Sequence, residues 1–88
     1  MTAAGRTVSV NVHFFGPARD WARRDSVAVE LPAGGCVGDV VEALAASSAP
    51  LAQRLASVRF AVNAEFAGLD RRLQAGDEVA VIPPVSGG

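Results

Sequence analysis

The sequence has no lysine and no tyrosine, one cysteine and one histidine, and no apolar run near the roughly eighteen residues a membrane-crossing helix needs. Without lysine there is no Schiff-base chemistry and no P-loop lysine. A single cysteine allows neither an internal disulfide nor a cysteine-based zinc site. A single histidine provides no histidine pair for a metal and no evident cysteine–histidine dyad. Charge of one sign is also lacking: eight basic residues, all arginine, face nine acidic ones, for a net charge of −1. Without a run of like charge, a nucleic-acid footprint and a polybasic membrane anchor are both excluded as the main use of the surface. With no signal peptide evident, the expected location is the cytoplasm.

What is present is apolar residue in quantity. Half of the 88 residues are hydrophobic and 19% are charged, a folded rather than a disordered composition. A chain of this length makes one domain around one core. Met1 to Arg6 is small and polar, an expected loose start. From Thr7 the pattern alternates, with Val8, Val10, Val12 and Phe14 on one face and Thr7, Ser9, Asn11 and His13 on the other. That is a half-buried strand. Gly16-Pro17 ends it, a short helical turn carrying Trp21 follows, and Val27, Val29 and Leu31 mark a second strand.

After Pro32 to Gly35 the period changes. Val37, Val40, Val41, Leu44 and Ala45 form one helical stripe, with Cys36 at the N-cap position and Asp39 three residues on. Pro50 opens a short turn carrying Leu51 and Leu55. Val58, Phe60 and Val62 predict a third strand, Asn63-Ala64 a turn, Phe66 a short strand, and Val79 and Val81 the last strand after the turn at Ala75-Gly76-Asp77. The predicted class is α+β, with a small mixed sheet packed on one main helix in a grasp-like arrangement. Residues 1–82 form the domain and 83–88 an extended tail.

Conventional catalytic groups are sparse. His13 is expected on a solvated strand face and Cys36 as a small capping residue. The run Gly34-Gly35-Cys36-Val37-Gly38 lacks the Lys-Ser or Lys-Thr of a phosphate loop, so its glycines read as turn residues.

The informative stretch is Pro83-Pro84-Val85-Ser86-Gly87-Gly88. The prolines hold the chain extended and cannot continue a sheet. The glycines carry no Cβ and can enter a narrow passage. Six residues reach about 20 Å, so the tail reads as a carboxylate on a stalk, built for insertion into another protein. Three large apolar residues, Phe15, Phe66 and Ile82, fall off the core parity and suggest a docking patch beside that tail.

In Val12-His13-Phe14-Phe15 followed by Arg19-Asp20, in Ala61-Val62-Asn63, and above all in Leu73-Gln74-Ala75-Gly76-Asp77-Glu78-Val79-Ala80 leading into Ile82-Pro83-Pro84-Val85-Ser86-Gly87-Gly88, the sequence resembles the ubiquitin-like sulfur carriers, most closely the small subunits of molybdopterin synthase. The resemblance implies a β-grasp fold and a protein that is not catalytic alone. It implies that Gly88 is joined to AMP by an ATP-using, E1-like activating enzyme and that sulfur supplied by a sulfur-donating enzyme displaces the AMP. The resulting thiocarboxylate then serves the large subunit as sulfur donor for the dithiolene of molybdopterin. Phe15, Phe66 and Ile82 match the apolar contacts such carriers make with partners. No metal or cofactor bound by this chain is implied. The alternatives from sequence are a carrier for another pathway (thiamine, cysteine or a thio-metabolite) and a ubiquitin-like tag or interaction module that carries no sulfur.

Overall fold

The computed structural model describes residues 6–84. Five strands form one sheet: β1 (Thr7–Phe14), β2 (Ser26–Pro32), β3 (Arg59–Val62), β4 (Glu65–Ala67) and β5 (Glu78–Ile82). Their spatial order is β2-β1-β5-β3-β4. β1 pairs antiparallel with β2 and parallel with β5, while β3 pairs antiparallel with both β4 and β5. The main helix α2 (Val37–Ser47) covers one face, with the short α1 (Pro17–Ala22), α3 (Ala49–Ala52) and a 3-10 turn at Leu55–Ser57 filling its margins. This is the mixed-sheet, one-helix β-grasp that the alternation predicts.

The core follows from parity. Val10, Val12, Phe14, Val29, Leu31, Phe60, Val62, Val79 and Val81 point to the helix side and are buried together with Val37, Val40 and Leu44 of α2. Each such side chain withdrawn from water contributes about 1.5–3 kcal/mol. The predicted helical stripe is narrower than expected: Val41 and Ala45 are only partly buried, because they sit on the shoulder of α2 facing a groove. Leu51 and Leu55 are buried as the Pro50 turn predicts, and Ser48 caps α3 by accepting the N–H of Leu51 at 3.3 Å. The Asn63-Ala64 turn places both residues in the left-handed region, at φ 50° and 73°. That is the geometry of a tight hairpin connection.

The connection from β4 to β5 has no periodicity in sequence, yet it is fixed in place. Val37 and Gly38, at the start of α2, donate to the carbonyls of Arg71 (3.0 Å) and Leu69 (2.9 Å), and Leu73 donates to Gly35 at 2.9 Å. Cys36 and Arg72 form an isolated bridge, and Leu73 is buried.

Candidate docking face and tail root

The chain leaves the sheet from its middle strand. Val81 is paired with Phe14 on one side and Phe60 on the other, and the N–H of Phe15 donates to the Val81 carbonyl at 3.2 Å. Pro83 runs beside Gly16, where an added Cβ would lie 3.7 Å from the proline Cγ. The strand end at the root of the tail is therefore held from both flanks, by Phe15 on one side and Arg59 on the other. Val85, Ser86, Gly87 and Gly88 lie outside the described residues.

Paired residues share a face, so the ladders lay out the side of the sheet opposite the helix. His13, Ala80, Ala61 and Phe66 form one row across four strands, and Ile82 and Arg59 form part of the next. Phe15 carries the alternation of β1 one residue past its end. The three apolar residues picked out by parity thus come to one face, at the end where the tail departs. Their exposure differs. Phe15 and Phe66 are open, at 51% and 67%, while Ile82 is half-buried. Parity fixes which side of the sheet Ile82 takes, but not how far its neighbours cover it.

The chain matches the model of the ThiS family over residues 12–88. It belongs to that family. The molybdopterin synthase sulfur carrier subunit of Mycobacterium tuberculosis is 39% identical over 84 residues, covering 92% of this chain and 99% of the relative. The protein of the same name from Drosophila yakuba is 35% identical, with all of both chains covered. Among solved structures, SAMP1 from Haloferax volcanii superposes with a TM-score of 0.83 at 31% identity, covering 91% of this chain and 99% of that one. The ubiquitin-like β-grasp and the resemblance read from Leu73 to Gly88 are both met by these findings.

In this ThiS-family chain the far half of the same face is polar. Glu78 accepts a hydrogen bond from Asn11 Nδ2 at 3.0 Å and is in contact with His13 Nε2. The Asn11 bond, and after it the His13 contact, hold the Glu78 carboxyl below its ordinary range. Its neighbour Asp77 is also lowered, first by the N–H of Gln74 (2.8 Å to Oδ2) and then by Asn63 Nδ2 (3.1 Å to Oδ1). These bonds brace the β3–β4 turn against the start of β5. His13 lies at the boundary between this polar half and the apolar one, and its side chain is 40% exposed.

The glycine-rich corner does not bind anions by its geometry. The first N–H groups of α2, which an anion would need, already go to the Arg71 and Leu69 carbonyls. A Cβ added at Gly38 would meet the Leu69 carbonyl oxygen at 3.4 Å, an ordinary contact, so packing alone does not demand glycine there. Cys36 occupies the N-cap and forms a capping box with Asp39, whose carboxylate accepts the Cys36 N–H at 2.9 Å. Among the described residues no three of His, Cys, Asp and Glu gather as metal ligands, and no helix is long and apolar enough to cross a membrane.

Two features escape the sequence. Leu69 is 57% exposed and, with Val41, Ala45, Leu55 and Val58, lines an open groove between α2 and the β3–β4 edge, which Phe66 and Arg59, at that edge of the sheet, border as well. Arg59 lies over the Phe66 ring, 5.2 Å from its centroid. Neither has a periodic signal: Leu69 sits in an irregular loop, and the stacking depends on the turn that folds β4 back on β3.

Proposed function

We propose that this chain is the sulfur-carrier small subunit of molybdopterin synthase, with no catalytic activity of its own. The observation that carries the reading is the tail root. A strand at the centre of the sheet, paired on both sides, delivers Pro83 and Pro84 outward beside an apolar face bearing Phe15, Ile82 and Phe66. A rigid base with an adjoining docking surface suits a terminus that must be handed into another protein's active site. The relatives named above support molybdopterin as the pathway over another thio-metabolite.

The chemistry belongs to Gly88. A free carboxylate is a poor electrophile. An E1-like enzyme therefore joins it to AMP, releasing pyrophosphate from ATP, and sulfur delivered by a donor enzyme at the oxidation level of sulfide displaces AMP to leave a C-terminal thiocarboxylate. The carrier then docks on the large subunit through Phe15, Phe66 and Ile82, with Val85 to Gly88 threaded to the pterin precursor. In this reading the domain contributes position, stiffness and recognition, and Gly88 carries the sulfur.

The test is an intact-mass spectrum after incubation with ATP, the activating enzyme and a sulfur donor. One oxygen should be replaced by sulfur at Gly88 in the parent chain. Deleting Gly88, or adding one residue after it, should abolish that replacement and leave the melting temperature unchanged, since the last core residue on β5 is Val81. An extended chain that still delivers sulfur without being trimmed would overturn the reading.

A further inference from the structure

Among the described residues that register places on the apolar half of the docking face, Arg59 alone is charged. Arg59 stands on that face, across the ladder from Ile82, with its guanidinium over the exposed Phe66 ring. The ion pairs among the described residues are His13–Glu78 and Arg19–Asp25, so Arg59 pairs with no described carboxylate. Register and the ring place the side chain between Ile82 and Phe66.

A protein that covers Ile82 and Phe66 must also cover Arg59, because register and stacking make the three neighbours. An unpaired guanidinium taken out of water is strongly unfavourable, and contact with an aromatic ring does not offset the loss. The covering surface must therefore supply an anion. A carboxylate fits best, since it accepts two parallel N–H···O bonds from the planar fork. We propose that Arg59 is the charged anchor of the docking face, and that the large subunit presents to it an aspartate or glutamate set within an apolar patch. This rests on reading the face as the surface that meets the large subunit. Charge complementarity then defines the partner's side: apolar, with one acid opposite Arg59.

The experiment titrates the full chain and its variants into the large subunit at low and high salt, with a thermal melt of each variant. Arg59→Met keeps an apolar stem and removes the fork; it should bind on the order of a hundredfold more weakly and lose most of the salt dependence. Arg59→Glu should bind more weakly still, and Arg59→Lys should fall between Arg59→Met and the parent. Phe15→Asp, away from Arg59, tests the face independently. If Phe15→Asp weakens binding while Arg59→Met binds as tightly as the parent with the same salt dependence, the face is right and the anchor is wrong. If neither weakens binding, the docking-face reading fails and the anchor with it. Should Arg59→Met lower the melting temperature, Arg59→Lys decides: it keeps the charge and loses the fork, so weaker binding supports the pairing and unchanged binding overturns it.

Discussion

The two sides of the sheet are built from alternate residues of the same strands, yet they answer to different demands. On the helix side, Val10, Val12, Phe14, Phe60, Val62, Val79 and Val81 are each no more than 6% exposed. Across the same backbone, one residue away in each case, stand His13, Phe15, Arg59, Ala80 and Ile82, which are exposed or half-buried; on that side only the small Ala61, among the described residues of these strands, is covered, at 5%. The inner set is interchangeable in kind, any well-packed aliphatic or aromatic residue serving. The outer set is individual, with an aromatic, an arginine, a histidine and an isoleucine each in a particular place beside the tail. A difference this sharp over a spacing of one residue is what the proposed division into a folding face and a docking face would produce.

The comparison breaks most visibly on the two phenylalanines of the β3–β4 hairpin. Phe60 is 6% exposed and Phe66 67%. Phe60→Ala should cost about 3–5 kcal/mol, a large share of a small domain's stability. Phe66→Ala should stay within about 0.5 kcal/mol. Urea unfolding of the pair checks this, and similar midpoints for the two would erase the distinction between faces.

The turn between those two residues offers a smaller effect in the other direction. Ala64 holds φ 73°, a left-handed conformation that costs an alanine roughly 1 kcal/mol. Ala64→Gly should raise stability by several tenths of a kcal/mol, measured as a higher melting temperature, without altering sulfur loading.

Acid sharpens the contrast within the outer face. The pKa values of Asp77 and Glu78 are lowered in the folded chain by hydrogen bonds from Gln74, Asn63, Asn11 and His13. Their ionised forms therefore stabilise the fold above about pH 4–5. That contribution is lost as pH falls through the lowered values. Glu78→Gln should show a shallower loss of stability on the acid limb than the parent, and the same midpoint dependence above neutrality. An acid limb as steep as the parent's would show that the Glu78 network contributes nothing.

Cys36 lies on neither face and should matter least. Cys36→Thr places a better cap in the same box and should change stability by no more than about 0.5 kcal/mol. Sulfur loading should be unaltered; its loss at normal stability would make the thiol a participant.

The strands were legible because Val8 to Phe14 alternate without interruption, and period two leaves little freedom in which side faces the core; Val79 to Ile82 is apolar throughout, so there only the spacing of Val79 and Val81 and the turn before them marked the strand. The helix was legible from Val37, Val40 and Leu44. The width of its buried stripe was not, because Val41 and Ala45 depend on what packs beside them. The residues proposed for docking were legible only as failures of parity. The half-burial of Ile82, the groove at Leu69 and the Arg59–Phe66 stack all depend on contacts brought together by the β3–β4 turn and the loop after it. No local period records those contacts. The bonds that the first N–H groups of α2 donate to the Arg71 and Leu69 carbonyls, which rule out a phosphate loop, join segments more than thirty residues apart. For those glycines the sequence offered only the missing Lys-Ser pair.

Ile82→Asp is a poor probe of the docking face, since the new carboxylate would stand across from Arg59 and could pair with it. Phe15 is the cleaner position: exposed, at the same end of the sheet, and one residue after the buried Phe14. The most direct measurement is a titration of Phe15→Asp into the large subunit, with a thermal melt on the same sample. A melting temperature close to the parent's, with affinity lower by orders of magnitude, is the predicted result, because the new carboxylate is desolvated against an apolar surface. Unchanged affinity, or a collapsed melting temperature, would contradict the division of the sheet into a folding face and a docking face.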